Sequence, residues 1–312
     1  MVNEGLRPII VGGLGHDGIY GFTYGELILD KYPSVLNKEL TFKLESFQPS
    51  YIYVKPTVKL IKEVGVHRKI TLGKEVQTNW FLRYGEGGYL PKFTWSAFIN
   101  FLRKELTINI LPLGIRRIYL SRKSLVTSLG SELRYRYLVN TLPLPQFLRF
   151  IRVPTPLPSI DEFNYIPIYT VLIMTEGSLE EGIFKVTYYG GASSFHTVVS
   201  YSLKDVLGCK DELTINYVFS SFSSIGKIPS GIGERVLSDL KRFRLLDVSK
   251  ITFLREYLIK YGLLMKISKD VEGMLLGLRE YGVINVGRVA EWCDYSIEKL
   301  VDRVKKLVCE LA

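Results

Sequence analysis

The sequence predicts an α/β or α+β protein in which a β-rich middle is inserted into a frame built from both ends of the chain. Three observations support this fold class: a strand, glycine-rich turn, helix and strand at the N-terminus, nearly continuous strand patterning over residues 165–222, and helical spacing afterwards. The length of 312 residues is sufficient for two domains.

The N-terminal elements are short. Ile9–Val11 is an apolar run bounded by glycines, as in a buried parallel strand. A helix is expected before residues 39–45, which alternate polar and apolar side chains and so predict a second strand. Helical spacing follows at residues 54–64, with Gly65 in the position of a C-cap, and again at residues 94–106.

The middle of the chain is predicted to be mostly β. Three short strands at residues 115–120, 125–128 and 135–139 form a meander, because turn-forming residues separate them. Pro143 and Pro145 then prevent both a continuing strand and a helix interior, so the chain must change direction. Further strands are expected at residues 168–174, 184–189 and 214–219.

Helices close the chain. Helical spacing recurs at residues 233–244 and 271–280, and an amphipathic helix occupies residues 296–311. We therefore expect two interleaved domains. The frame consists of residues 1–50, 84–145 and 275–312, and the inserted domain consists of residues 51–83 and 146–274.

Composition limits the possible functions. The chain has 41 Lys and Arg against 31 Asp and Glu, a net charge of +10, which favours anionic partners such as phosphorylated cofactors. Its three cysteines form no CxxC pair, so neither a disulfide framework nor a structural zinc site is expected. No signal peptide or membrane-spanning run is recognised, so we expect a cytoplasmic protein. Few His and Met beside many Tyr, Ile, Lys and Arg favour a thermophile as the source.

A glycine motif follows the first strand. Gly13, Gly15 and Gly18 form a G-x-G-x-x-G sequence directly after Ile9–Val11, which is the context of a dinucleotide-binding turn. The glycines permit a tight turn and let the backbone approach a pyrophosphate at a helix N-terminus. Glu45 is the candidate for the ribose hydroxyls. The alternative is a plain glycine-rich loop, because Glu45 lies later than usual and weak helix formers follow the motif.

Later segments add a second, distributed signal. In chain order they are a glycine-rich stretch at residues 84–89, the helix at residues 94–106, the meander, the turn Thr141-Leu142-Pro143, and the segment from Gly287 and Arg288 to Tyr295. Their order and spacing resemble the flavin-binding family that includes amine oxidases, protoporphyrinogen oxidase and UDP-galactopyranose mutase. The last segment is most similar to the mutase-like branch.

The resemblance implies a Rossmann-like FAD-binding domain with an inserted β-rich, α+β substrate domain. It also implies that FAD is the cofactor. The residues that it assigns to the cofactor are Gly13, Gly15 and Gly18 at the pyrophosphate, Glu45 at the ribose, backbone at Ile115 at the adenine, and Gly287, Arg288 and Tyr295 beside the flavin or its phosphates. It assigns no catalytic residue and no metal ligand.

Two residues of the C-terminal segment have an alternative interpretation. The planar guanidinium of Arg288 suits phosphate oxygens, but Arg288 could equally form an ion pair with Glu291. Cys293 is either a thiol near the flavin or a buried packing residue.

We therefore expect an FAD-dependent oxidoreductase of the amine-oxidase or protoporphyrinogen-oxidase type that acts on a small molecule. One alternative is a degenerate member that has lost FAD and serves as a binding or structural protein, because the arginine- and glycine-rich stretch of the family is not recognisable after Glu45. Another is a flavoenzyme similar to UDP-sugar mutases. Nucleic-acid binding is not expected, because basic and aromatic residues that alternate on a meander are usually a solvated sheet face.

Overall fold

The computed structural model describes residues 9–11, 51–85, 88–92, 109–153, 157–180, 182–223, 227–295 and 297–311. These residues form a mixed α/β structure with several separate sheets. The glycine motif at residues 13–18, Glu45, and the elements expected at residues 39–45 and 94–106 lie outside the described residues.

The strands of the described chain are β1 (Ile9–Val11), β2 (Tyr51–Val54), β3 (Thr57–Ile61), β4 (Gly88–Pro91), β5 (Asn109–Leu111), β6 (Ile115–Tyr119), β7 (Ser124–Thr127), β8 (Glu132–Arg134), β9 (Leu138–Asn140), β10 (Ile151–Arg152), β11 (Tyr165–Glu176), β12 (Phe184–Tyr189), β13 (Thr197–Ser202), β14 (Leu213–Ser221), β15 (Ile251–Leu264) and β16 (Val283–Asn285). The α-helices are α1 (Val66–Thr71), α2 (Leu144–Leu148), α3 (Leu203–Leu207), α4 (Ile232–Arg242), α5 (Lys269–Gly277) and α6 (Ile297–Leu311). Short 3₁₀ helices occur at Trp80–Gly85, Ile160–Glu162, Val248–Lys250 and Leu278–Tyr281.

A six-stranded sheet dominates the described structure. Its strand order is β15-β11-β14-β13-β12-β3, and all neighbours are antiparallel except β12 and β3. The strands expected at residues 168–174, 184–189 and 214–219 are confirmed. β12 coincides with the second of them, and β11 and β14 contain the first and the third.

The two faces of this sheet pack against different elements. On one face, Val186 and Tyr217 lie in a core with Ile70 of α1 and Phe81 of the first 3₁₀ helix. On the other face, Val171 and Val218 pack against α4. Alternate residues of a strand point to opposite faces, so each central strand contributes to both cores.

The helix expected at residues 54–64 is wrong. This segment contains β2 and β3, and β3 runs beside β12 with Thr57 opposite Lys185. Gly65 has a φ of 107° and precedes α1 as its N-cap instead of ending a helix. The segment is rich in β-branched residues, and pairing with a distant strand outweighs the local helical spacing.

Sequence patterning marks only the apolar end of β15. The strand extends for 14 residues along β11, and most of its first ten residues are exposed. The register shifts between Ile166 and Ile168, where a Cβ on Gly262 would lie 2.2 Å from Ile168 Cγ1. A glycine is therefore required at this close approach. The exposed part of β15 is difficult to predict because it lacks the hydrophobic alternation of a half-buried strand.

A second unit surrounds the meander. Strands β6, β7 and β8 are antiparallel neighbours, and β10 lies parallel to β6. The predicted meander is confirmed, but its third strand is β8, whereas the end of residues 135–139 belongs to β9. The parallel strand expected at the N-terminus is also confirmed, because β1 pairs in parallel with β5.

Helices complete this unit. Pro143 is the N-cap of α2 and Pro145 lies in its first turn, where a missing backbone N–H has little effect.

Helices α4 and α6 confirm two of the predicted C-terminal helices, and the third begins as α5 and ends in a 3₁₀ turn. Buried side chains of the meander, α2, α5 and the C-terminal segment share one core, which includes Ile118, Phe147, Leu264, Val271 and Trp292.

Candidate functional site

Strands β9 and β16 join two segments that are far apart in the sequence. They pair in parallel, with Val283 opposite Leu138 and Asn285 opposite Asn140. Both strands are only three residues long, and a side-chain hydrogen bond between Asn140 and Asn285 adds to the pairing. The turn Thr141-Leu142-Pro143 and the segment that begins at Gly287 follow directly from these strands. Two of the segments that carry the flavoprotein resemblance therefore lie side by side.

Asn140 fixes this arrangement. Its side chain is buried, and its Nδ2 donates to Asn285 Oδ1 at 2.9 Å. Its Oδ1 accepts from the Leu142 N–H at 2.9 Å, and its backbone carbonyl accepts from the Val286 N–H at 2.9 Å. One residue thus ties the turn after β9 to the segment after β16, and the bonds satisfy the polar groups of the buried Asn140 side chain.

Gly287 presents bare backbone. Its φ is 111°, a conformation that side chains with a Cβ rarely adopt. Among the described residues, no atom lies within 4 Å of the place where its Cβ would be. Its carbonyl accepts from the Glu291 N–H at 2.8 Å. The position suits close approach of a planar ligand to the main chain, which is the role that the resemblance implies.

The Arg288 side chain is engaged within the protein. Its Nε donates to Asp294, its Nη1 donates to the Tyr261 carbonyl at 2.8 Å, and its Nη2 donates to the Gly262 carbonyl at 2.6 Å. The ion pair is therefore with Asp294 and not with Glu291. Burial raises the pKa of the Asp294 carboxyl, and the neighbouring Arg288 charge opposes this shift. Arg288 fastens the C-terminal segment to the end of β15.

Tyr295 lies in a second network of the same segment. Its hydroxyl donates to Glu291 Oε1 at 3.0 Å, and Arg303 Nε donates to Glu291 Oε2 at 2.7 Å. Burial, followed by the Glu291 charge, raises the pKa of Tyr295, while a backbone hydrogen bond from Gly287 lowers it. The hydroxyl is therefore neutral and connects Gly287 to α6 through Glu291 and Arg303.

Ile115 lies at the start of β6, opposite Thr127 of β7. A register shift between Ile115 and Arg117 bends the strand at this end, as a β-bulge does. Its side chain packs on the same core as Leu142 and Val289. The structure thus places Ile115, Gly287, Arg288 and Tyr295 in one unit, while Gly13, Gly15, Gly18 and Glu45 lie outside the described residues.

Cys293 is exposed, so the alternative of a buried packing residue is wrong. Partial burial and the nearby Glu291 and Asp294 charges raise the pKa of its thiol. A raised pKa keeps the sulfur protonated at neutral pH, and a protonated thiol is a weak nucleophile.

Sequence reasoning missed Gln77. Its Nε2 donates to the Met265 carbonyl at 3.1 Å and to the Trp292 carbonyl at 3.0 Å, and its Oε1 accepts from the Asp294 N–H at 2.9 Å. Gln77 lies between α1 and the first 3₁₀ helix, and it links this part of the chain to Met265, directly after β15, and to the C-terminal segment. No motif surrounds this residue, so the sequence contains no signal for its role.

The described residues contain no group of three or more His, Cys, Asp or Glu side chains that could hold a metal ion. They also contain no helix with the length and apolar character needed to cross a membrane.

No protein family matches the sequence, and no curated protein matches it. Solved structures are similar in fold. A reduced UDP-galactopyranose mutase has a TM-score of 0.57 and 16% identity over 77% of this chain and 57% of that chain. This chain shares its fold with that mutase structure. A protein assigned as a protoporphyrinogen oxidase, from Exiguobacterium sp. 255-15, has a TM-score of 0.54 and 16% identity over 72% of this chain and 52% of that chain.

A putrescine oxidase variant with redesigned cofactor binding has a TM-score of 0.51 and 10% identity, over 72% of this chain and 53% of that chain. The expected relation to this group is thereby confirmed at the level of the fold. The chain spans between 52% and 57% of the length of the three structures.

Proposed function

We propose that this protein is an FAD-dependent oxidoreductase that acts on a small molecule. The parallel pairing of β9 with β16 is the main support, because it sets Gly287 beside the turn after Asn140, and both segments are among those that carry the resemblance. In this proposal the frame, residues 1–50, 84–145 and 275–312, holds the cofactor. The inserted domain, residues 51–83 and 146–274, holds the substrate.

The described residues fit a flavin that approaches the main chain. Gly287 offers backbone without a Cβ, and the protonated Tyr295 hydroxyl is a hydrogen-bonding group next to it. Backbone at Ile115 would meet the adenine, and the glycines at residues 13–18 with Glu45 would hold the pyrophosphate and ribose. The guanidinium of Arg288 already binds Asp294 and two carbonyls, so its role is to position this segment. Bound FAD would supply the hydride-accepting chemistry.

Flavin content tests the proposal directly. The purified full chain should be yellow, with the absorption bands of oxidised flavin, and mass spectrometry of the released small molecule should identify FAD. If the protein is isolated without cofactor, titration with FAD should quench the fluorescence of the added flavin until one equivalent is bound. Colourless protein that also ignores added FAD would contradict the proposal.

Gly15→Val tests the location of the phosphate site. A valine side chain would fill the space that the pyrophosphate needs, so we expect the variant to fold and to lose FAD binding. Gly273→Val is the matched control, because Gly273 lies on α5 and no described atom is within 4 Å of the place where its Cβ would be. Circular dichroism checks folding, and FAD titration checks binding. Unchanged affinity of Gly15→Val would mean that the phosphates bind elsewhere.

A non-catalytic binding protein is the second candidate. The contacts of Arg288 and Tyr295 with the protein's own groups favour it, because both side chains already have structural roles. Reduction of bound flavin separates the two candidates. Bleaching of stoichiometric flavin by a member of a panel of amines would support the oxidoreductase. A spectral change of the reduced flavin with UDP-galactose would indicate the mutase-like alternative.

A further inference from the structure

The face of the six-stranded sheet that packs against α4 changes from apolar to polar residues along its strands. Under α4 this face is apolar, with Val171, Val218 and Val198 in adjacent positions. Two residues further along β14 and β13 lie Asn216 and Ser200, which are opposite each other in the ladder. The sheet continues, but α4 no longer covers it. The polar residues therefore mark the floor of an open region and not the core beneath the helix.

This floor is hydrogen-bonded and buried. Ser200 Oγ donates to Asn216 Oδ1 at 2.6 Å, and Asn216 Nδ2 donates to Thr175 Oγ1 at 3.4 Å. Ser200, Asn216, Thr175 and Thr187 are each less than 8% exposed. They line a cleft with a volume of about 540 Å³, which is within the range of roughly 300–1,000 Å³ of small-molecule sites. A fixed polar floor in a cleft can orient a ligand that carries hydroxyl groups.

Charged side chains surround the cleft. Lys241, Arg244 and Lys250 line it from the end of α4 and the turn that follows. Two further lysines, Lys59 of β3 and Lys185 of β12, also line it. The lining carboxylates are those of Glu176, Glu180 and Asp247, so positively charged side chains exceed carboxylates by two. Asp247 accepts from the Ser249 N–H at 3.1 Å and from Ser249 Oγ at 2.7 Å, which ties it to its own turn.

Arg244 occupies an unusual backbone conformation. It follows the last residues of α4, its N–H donates to the Lys241 carbonyl at 3.0 Å, and its φ is 54°. This left-handed position after a helix usually holds glycine or asparagine, because a larger side chain is strained there. The chain nevertheless has an arginine at this point, with its side chain on the rim of the cleft. Strained residues of this kind concentrate at ligand sites.

We propose that this cleft binds a phosphorylated polyhydroxy compound. The phosphate binds the basic wall of Lys241, Arg244 and Lys250, because guanidinium and ammonium groups form charge-assisted hydrogen bonds with phosphate oxygens. The hydroxyl groups of the ligand donate to Glu176 at the end of β11 and to Glu180 in the loop that follows, and they exchange hydrogen bonds with the floor.

The lining also restricts the ligand class. No aromatic residue is among the described residues that line the cleft, so a nucleobase would find no stacking surface. The cleft lies on the face of the sheet that α4 covers, whereas α1 packs on the other face. None of the described residues that line the cleft belongs to the segment from Gly287 to Tyr295, so the site is separate from that segment and does not depend on whether the chain binds FAD.

Calorimetry on the full chain tests the ligand class with three compounds. Glucose 6-phosphate should bind saturably, and glucose and inorganic phosphate should each bind at least about tenfold more weakly, because each lacks one half of the recognised chemistry. Equal binding of glucose and glucose 6-phosphate, or no saturable binding of any compound, would overturn the proposal.

Arg244→Gly tests the location of the site. Loss of one charged hydrogen-bond donor should weaken glucose 6-phosphate binding by roughly tenfold or more. The melting temperature should not fall, because glycine adopts the left-handed conformation without strain. Lys123→Gly is the matched control: it removes one positive charge from a residue with a φ of 46° outside the cleft, and it should leave binding unchanged. Equal weakening in both variants would show a general charge effect and would overturn the assignment of this cleft.

Discussion

His196 shows how a single polar residue is accommodated in the sheet. Its ring is buried, with Nδ1 2.8 Å from Thr197 Oγ1 and Nε2 3.1 Å from Ser221 Oγ. Phe81 packs edge-on against it. Burial, together with the positive charge of Lys69, lowers the pKa of His196 to about 3. The imidazole is therefore neutral in the folded protein at any pH above that value.

This lowered pKa makes stability depend on pH. The unfolded histidine has a pKa near 6.5, so between about 3 and 6.5 the unfolded chain binds one proton more than the folded chain. The contribution is complete above the unfolded pKa and is lost as pH falls, at about 1.4 kcal/mol per pH unit. Urea unfolding just below pH 6.5, where carboxyl groups remain ionised, should show this slope in the unmodified protein and not in His196→Gln.

His67→Gln is the control for that measurement, because His67 is an exposed histidine of α1. It should retain the full pH dependence. If His196→Gln has the same slope as the unmodified protein, the buried imidazole is not the group that titrates.

The C-terminal segment shows which single-residue roles the sequence can predict. The resemblance predicts that Gly287 lies beside the flavin or its phosphates, and its φ of 111° is a backbone conformation that favours glycine. The partner of Arg288 could not be chosen from spacing, because Asp294 and Glu291 both lie within a few residues of it. The Asp294 side chain is 4% exposed, and a buried carboxylate needs a charged partner more than one that reaches solvent.

Edge strands are the elements that sequence patterning identifies least well. β3 and β15 lie at the two edges of the six-stranded sheet, and most residues of β3 and half of those of β15 are exposed. The central strands β11 to β14 are recognisable because burial on both faces demands continuous apolar or small residues. An edge strand is specified by its neighbour, and that information lies elsewhere in the sequence.

Gly190 tests the packing of β3 against the rest of its sheet. Its N–H donates to the Ile61 carbonyl at 2.9 Å, and a Cβ at this position would lie 2.0 Å from the Lys62 carbonyl oxygen. Two backbones approach here, so neither can yield as a flexible side chain would. We expect Gly190→Ala to lower the free energy of unfolding by about 2–3 kcal/mol, measured by urea denaturation.

Gly273→Ala provides the opposite expectation within the same protein. It lies on α5, with no described atom near its Cβ position, so alanine should stabilise the helix by about 0.5–1 kcal/mol. A Gly190→Ala variant as stable as the unmodified protein would show that β3 is displaced from the position described.

At the scale of the whole molecule, two hydrophobic cores share strands. Leu263 belongs to the core on one face of the six-stranded sheet, and the next residue, Leu264, belongs to the core of the meander unit. On β11, Ile166 belongs to the core of the six-stranded sheet, and its neighbour Tyr165 packs against the core of the meander unit. The sequence predicted a mixed α/β protein and many of its strands and helices, although the helix expected at residues 54–64 is wrong. It could not predict this sharing, because the two cores use adjacent residues with the same apolar character.

The shared strands should make unfolding cooperative. Loss of one core removes part of β11 and β15 from the other, so we expect one thermal transition with equal calorimetric and van't Hoff enthalpies. Leu264→Ala should lower its melting temperature without splitting it, since truncation of a buried leucine costs about 2–5 kcal/mol. Leu276→Ala, at a residue that is 65% exposed, should leave it nearly unchanged. A second calorimetric transition would show that the units unfold independently.

The parallel pair of β9 and β16 has a consequence for biosynthesis. Asn140 and Asn285, which bond across this pair, are 145 residues apart. At translation rates of about 5–20 residues per second, the ribosome needs roughly 7–30 s to deliver the second strand after the first. During this interval the nascent Asn140 has no Asn285 to bind, so β9 stays without its parallel neighbour until residues 283–285 emerge from the ribosome.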